Sequence, residues 1–186
     1  MKKKYKMIPE GSMYRVEALR NFGDVKKGDK GGLIENEHNL SHDGMCWVYD
    51  EAMVYGNAKV YDDAKVYDDA VVYDNAIVCE KAEVYGDARI YDSAQVYGDA
   101  IVFGDSRVYG AAEIGDSAKI CSKADYIVFK NWWSSGRYFT WTRSNDKWKV
   151  GCFFGSGEEL IKKAYSDSED KGKEYERIVR YVESIC

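Results

Sequence analysis

From Val48 to Ile120 a β-branched aliphatic residue returns at every sixth position without a miss: Val48, Val54, Val60, Val66, Val72, Val78, Val84, Ile90, Val96, Val102, Val108, Ile114 and Ile120. An α-helical stripe recurs at three and four residues, so no helix carries this pattern. From Ala52 onward the residue two places before each aliphatic is alanine, except at Ser106, and the residue after it is tyrosine in most hexads. Pairs such as Asp62-Asp63, Asp68-Asp69, Gly86-Asp87 and Gly98-Asp99 complete the unit. These residue types tolerate positive φ and mark turns.

Written as Ala-x-Val-Tyr plus two turn residues, each hexad predicts a short strand and a corner. Strand alternation puts Ala and Val on one side and x and Tyr on the other. An open sheet would leave such small apolar faces weakly buried. Winding three hexads into one triangular coil of eighteen residues gives them a shared interior, with successive coils stacked at roughly 4.8 Å. About four coils are expected over residues 48–125.

The pattern resembles the hexapeptide-repeat family, whose members form left-handed parallel β-helices; the handedness is implied by that resemblance and departs from the usual right-handed crossover rule. The leading segment "FGDVKKGDKGGLIENEHNLSHDGMCWVYDEAMVYGNAKV" and the tail "DYIVFKNWWSSGRYFTWTRSNDKWKVGCFFGSGEELIKKAY" are similar to uncharacterised bacteriophage and prophage members. The resemblance implies a phage-type protein with no settled activity.

The flanks predict separate regions. Residues 1–47, with the strand-like "MYRVEALRNF" and a Gly/Lys loop, are expected to cap the first coil and cover its unpaired edge. Past Asp125 the period breaks, and residues 126–186 predict a small α+β module. There "RYFTWTR" and "KWKVGCFF" form a hairpin with Trp148, Val150, Cys152 and Phe154 on one face. Two helices follow near 157–167 and 172–185, the second with a stripe of Tyr175, Ile178, Val182 and Ile185. The expected class is therefore mainly β: a β-helix between an N-terminal cap and a C-terminal α+β module.

Composition narrows the function. The net charge is −5, but residues 48–125 carry seven basic against sixteen acidic residues, and both ends are mildly basic. A central section of that sign does not hold duplex DNA. Neither a signal peptide's apolar run nor a bilayer-spanning stretch is present, so a cytoplasmic location is expected. Five cysteines without CxxC spacing fit free thiols in a reducing compartment.

Many hexapeptide-repeat proteins are acyltransferases that use a histidine base on or near the coils. Here His38 and His42 are the only histidines, both precede the regular hexads, and no loop interrupts the thirteen repeats. Two histidines also fall short of the three that the related carbonic anhydrases use for zinc. Stacked aspartates such as Asp50 and Asp68 suggest a hard cation, but turn chemistry accounts for them without one. No catalytic residue, metal or cofactor is therefore expected.

Binding is the remaining reading. Eighteen-residue spacing aligns Tyr49, Tyr67, Tyr85 and Phe103 in one outward ladder and Tyr55, Tyr73, Tyr91 and Tyr109 in a second. With Asp68, Asp69 and Asp87 these form acidic-aromatic faces suited to a basic groove on a host protein or protein-nucleic acid complex. An anti-CRISPR-like or other anti-defence inhibitor, assembled as a homotrimer or homodimer, is the most concrete form. In the tail, Trp132, Trp133, Arg137 and Arg143 offer a second contact. An acyltransferase relative, a phage scaffold and a nucleotide-messenger sponge remain open.

Overall fold

Two-residue strands recur along the repeat from Trp47–Val48 to Lys119–Ile120, and they pair in parallel with the strand eighteen residues on. Val66, Val84 and Val102 are direct partners in one sheet, Val54, Val72 and Ile90 in a second, and Val60, Val78 and Val96 in a third. The molecule, a computed structural model describing residues 3–131 and 135–185, is thus a parallel β-solenoid followed by a sheet with two helices. Residues 1–123 and 124–186 form its two compact units.

The interior follows the hexad. Every Val or Ile at the sixth-residue positions from Val48 to Ile120, and every alanine two places before one of them, is at most 1% exposed. Ser106 occupies one alanine position, and its buried hydroxyl has no hydrogen-bond partner. Burying a hydroxyl without a partner costs more than an apolar group of the same size. Ser106→Ala is accordingly expected to stabilise the solenoid by about 1 kcal/mol, read as a raised urea midpoint at unchanged m-value. An unchanged or lowered midpoint would mean that the hydroxyl is satisfied in solution.

The corners explain the acidic residues. The first corner residue is left-handed throughout: Asp50, Asp62, Asp68, Asp74, Glu80, Asp92 and Asp116 have φ between 51° and 58°, and glycine fills the same place at Gly56, Gly86, Gly98, Gly104 and Gly110. Aspartate tolerates this region better than most side chains. Its carboxylate also reaches the next coil. Asp68 accepts from the Gly86 amide at 3.1 Å, Asp92 from Gly110 at 3.0 Å and Glu80 from Gly98 at 2.9 Å. Each bond satisfies a corner N–H that has no strand partner.

The N-terminal region is more than a cap. Strand Lys30–Ile34 pairs in parallel with Met53–Val54, and Leu40 bridges Val60 in the same sense. Ile34 and Leu40 are as buried as the valines below them, so the stacking begins before the regular hexads and gives about five turns rather than four. Periodicity concealed this coil because Leu40 lies eight residues before Val48, which makes its corner two residues longer. Ahead of it, the antiparallel hairpin of Tyr5–Glu10 and Met13–Ala18 extends the same sheet. Pro9 lies in its outermost strand, where a residue without an N–H fits a free edge.

The C-terminal unit has a four-stranded antiparallel sheet, in order Tyr126–Lys130, Tyr138–Thr142, Lys147–Val150 and Phe153–Gly155. Helices α1 (Gly157–Asp167) and α2 (Glu169–Ile185) complete it. A capping box starts α1: Ser156 accepts from the Glu159 amide, and the Glu159 carboxylate accepts from the Ser156 amide.

Two sequence expectations fail in this unit. The stretch from Lys147 to Phe154 is not one strand, because Gly151, at φ 58°, reverses the chain. Trp148 and Val150 are buried, while Cys152 and Phe154 are exposed. On α2 the buried stripe is Tyr175, Val179 and Val182, with Ile178 half-buried and Ile185 55% exposed.

Candidate functional site

The coil presents three outward faces and three corners of different character. The first tyrosine ladder stacks Tyr67 on Tyr85 at 4.7 Å and Tyr85 on Phe103 at 5.4 Å, while Tyr49 meets Tyr67 edge-on at 6.4 Å. The second runs through Tyr55, Tyr73, Tyr91 and Tyr109 with centroids 5.1–5.3 Å apart and planes within 15°. These distances are those of offset-stacked rings. The third column holds Tyr61, Cys79, Tyr97 and Gly115. There Tyr97 lies over Gly115, where a Cβ would come within 2.3 Å of the ring.

Stacking changes the expected surface. The ladder rings are half-buried rather than exposed, apart from Tyr109 at 45%, because each ring covers part of the next. The columns are therefore first a structural device worth about 0.2–1 kcal/mol per pair. Burial and the adjoining Asp24 push the Tyr49 phenol well above its usual range, and burial and Glu83 do the same for Tyr67.

The start of the first ladder is covered by the N-terminal arm. Tyr49 donates to Asp24 at 2.7 Å, and Lys65 donates to the same carboxylate at 2.8 Å. Those two bonds hold the Asp24 carboxyl below the usual range. Trp47, nominally an outward position, is 1% exposed because Phe22 packs on it edge-first at 5.3 Å. The ladder is open from Tyr67 onward.

The corner that follows this ladder carries the most distinctive chemistry. Its second residues are Glu51, Asp69, Asp87 and Asp105, an acidic column with no interruption and one carboxylate per coil. All four are exposed. Glu51 pairs with Arg15 at 2.9 Å, whereas Asp69, Asp87 and Asp105 make no ion pair among the described residues. The matching column at the second corner is Asn57, Asn75, Ser93 and Ala111, and at the third Asp63, Lys81, Asp99 and Ser117. All three corners carry acidic residues, but only the first has a carboxylate at its second position in every one of these coils.

The residues singled out in the sequence separate on this surface. Asp68 is committed to the Gly86 amide, while Asp69 and Asp87 belong to the acidic column. Glu51 and Asp105 join them there, and their eighteen-residue spacing was the available signal. Trp132 and Trp133 lie outside the described residues. Arg137 and Arg143 do not form one contact, since they stand at opposite ends of strand Tyr138–Thr142, roughly 20 Å apart by strand rise. Trp141 and Trp148 are core residues at 6% and 1% exposure.

His38 borders a shallow pocket on the coil surface with Asn57, Lys59, Asn75 and Ile77, whereas His42 is held by the N-terminal strand. His42 accepts the Lys4 amide on Nδ1 at 3.2 Å and meets Glu37 through Nε2 at 2.9 Å, while its ring lies 4.2 Å from that of Tyr5. Both of its nitrogens are engaged in fastening the N-terminal strand. His38 Nε2 lies 3.0 Å from the Gly56 carbonyl. Close by, the buried Lys4 ammonium donates to the Cys46 carbonyl at 2.9 Å and to its sulfur at 3.2 Å. Burial lowers the lysine pKa and raises that of the thiol.

No group of His, Cys, Asp or Glu among the described residues is arranged to hold a metal ion. No described helix is long and apolar enough to cross a membrane.

Comparison with protein families matches the YdcK β-solenoid repeat to residues 64–80 and 94–110. Both stretches lie within the coils and span nearly one turn each, so the match agrees with the architecture. No curated protein matches the chain.

Proposed function

We propose that this chain is a non-catalytic binding protein whose acidic corner occupies a basic groove on a nucleic-acid-handling complex. In its most concrete form it is a phage- or prophage-type hexapeptide-repeat inhibitor of a host defence system, acting in the cytoplasm as a homo-oligomer. The observation that supports this reading is the column Glu51, Asp69, Asp87 and Asp105. It repeats one carboxylate per coil, roughly every 4.8 Å, on a stiff rod.

A DNA strand presents one phosphate per about 3.4 Å, so the column offers a basic groove the same sign of charge at similar spacing. The half-buried tyrosines beside it add flat apolar surface with a hydroxyl at its rim, the combination favoured at protein interfaces. Asp69, Asp87 and Asp105, without ion pairs among the described residues, have no competing partner to surrender on binding.

The test is capture of partners from nuclease-treated host lysate by the tagged protein and by two variants. Reversing the column (Glu51, Asp69, Asp87 and Asp105 to Lys) is expected to abolish recovery of a nucleic-acid-processing complex. Placing lysines at Asn57 and Asn75, in the uncharged column of the second corner, should leave recovery intact. Binding should also weaken as ionic strength rises. Equal recovery by the column-reversed protein would remove the acidic corner from the proposal.

A further inference from the structure

The C-terminal unit contains a cavity of about 480 Å³ between the end of its sheet and the two helices. Its apolar wall includes Val150, Phe153, Leu160 and Ala164, and Tyr175 also lines it. Its polar residues are Arg137, Lys163, Lys171 and Asp167, a net lining charge of +2. A second space of about 380 Å³ shares Arg137 and Lys171 and adds Ser135, Ser168, Asp170 and Glu174. The volume suits a small molecule.

Two features of the lining are unexplained by the fold. Lys163 and Lys171 both pair with Asp167, but the Arg137 guanidinium makes no ion pair or side-chain hydrogen bond among the described residues. It lies against Gly151, whose missing side chain leaves room for it: a Cβ there would stand 3.5 Å from Arg137 Cδ. Independently, Tyr175 is 2% exposed and its hydroxyl has no hydrogen-bond partner. A native core rarely leaves such a group unmatched. The mouth is also adjacent to the first turn of α2, where Ser168 accepts from the Lys171 amide at 3.2 Å.

We propose that this cavity binds a small organic oxyanion with an aromatic or short apolar body. The carboxylate or phosphate head pairs with Arg137 and Lys171, and the body packs on Val150, Phe153 and Leu160. Arginine suits the head because its planar fork matches two oxyanion oxygens. Asp167, Asp170 and Glu174 near the mouth oppose the bound anion in part, so the body and the head must act together for affinity. This site is independent of the acidic corner and of its partner.

The experiment is titration of the ¹⁵N-labelled full chain with phenylacetate, phenyl phosphate, benzyl alcohol and inorganic phosphate, followed by amide shifts. Either or both aryl anions are expected to shift amides of residues 150–155, 160–164 and 171–175 in a saturable way, and which one binds tighter identifies the head. Benzyl alcohol and inorganic phosphate should each bind more weakly. Arg137→Gln, at an exposed side chain, should fold normally and lower aryl-anion affinity about tenfold. The proposal fails if neither aryl anion shifts these amides, if benzyl alcohol binds as tightly as they do, if inorganic phosphate matches phenyl phosphate, or if Arg137→Gln binds like the parent.

Discussion

Val84→Asp is expected to abolish the cooperative native state of the middle coils. Val84 is 0% exposed and lies in register between Val66 and Val102, so it is directed into the interior formed by the Val, Ile and Ala of its own and adjoining coils. Every inward neighbour of the repeat within two coils is apolar except Ser106. A carboxylate there has neither a cation nor a donor, and it must either be buried charged or take up a proton.

The cost exceeds about 4 kcal/mol, against a total stability of roughly 5–15 kcal/mol for a domain. Parallel stacking transmits the damage, because each coil is held mainly by its neighbours. Urea unfolding followed by far-UV circular dichroism should show an early, broadened transition or none. Gln95→Asp, at an exposed outward position of the same coil region, should unfold like the parent. If Val84→Asp kept a native midpoint, the inward register of the hexads would be wrong.

The second large effect is expected at Gly44, in the long corner that precedes the regular repeat. Gly44 has φ 63°, and a Cβ added there would stand 2.0 Å from the Asp62 carbonyl oxygen. That carbonyl accepts from the Cys46 amide at 2.8 Å. Gly44→Ala therefore combines left-handed strain, about 1–2 kcal/mol, with a backbone separation that breaks a buried bond, about 1 kcal/mol or more. A loss of about 3 kcal/mol is expected in the same urea assay.

Gly104→Ala provides the contrast. Its φ is 67°, but the nearest atom to an added Cβ is Cys121 O at 3.4 Å, so only the backbone strain applies. Similar losses at the two glycines would show that the close approach of Gly44 to the next coil is not what requires glycine there.

The two variants mark the boundary between what periodicity shows and what it hides. Val84 could be assigned inward from the sequence, because a six-residue repeat of Ala and Val permits one economical burial: three hexads per coil with those side chains facing one another. The corner types were legible for the same reason, since Asp and Gly alternate at a position that demands positive φ. The acidic column was available in the eighteen-residue spacing of Glu51, Asp69, Asp87 and Asp105, but the sequence reading singled out only Asp69 and Asp87 from it.

What pairwise spacing could not supply is whatever depends on a partner distant in sequence or out of period. The first coil, with Ile34 and Leu40, escaped because two extra residues in one corner break the six-residue count while leaving the stack intact. The corner carboxylates were readable as turn residues, but their role as acceptors for the next coil's amides required the coils to be laid one on another. Tyrosine exposure was overestimated because stacking along the ladder, a tertiary effect, hides half of each ring.

In the C-terminal unit the sequence indicated strands and helices by alternation and by the 3.6-residue stripe. Only packing decided that Gly151 turns the strand, that Trp141 and Trp148 are core, and that Arg137 and Tyr175 line one cavity. The sequence by itself determined the coil, its inward residues and the charge along its corners, because those follow from local period. Where the coil begins, which carboxylates are already engaged and where a small-molecule cavity opens depend on contacts between residues far apart in the chain, and the tertiary structure alone decided them.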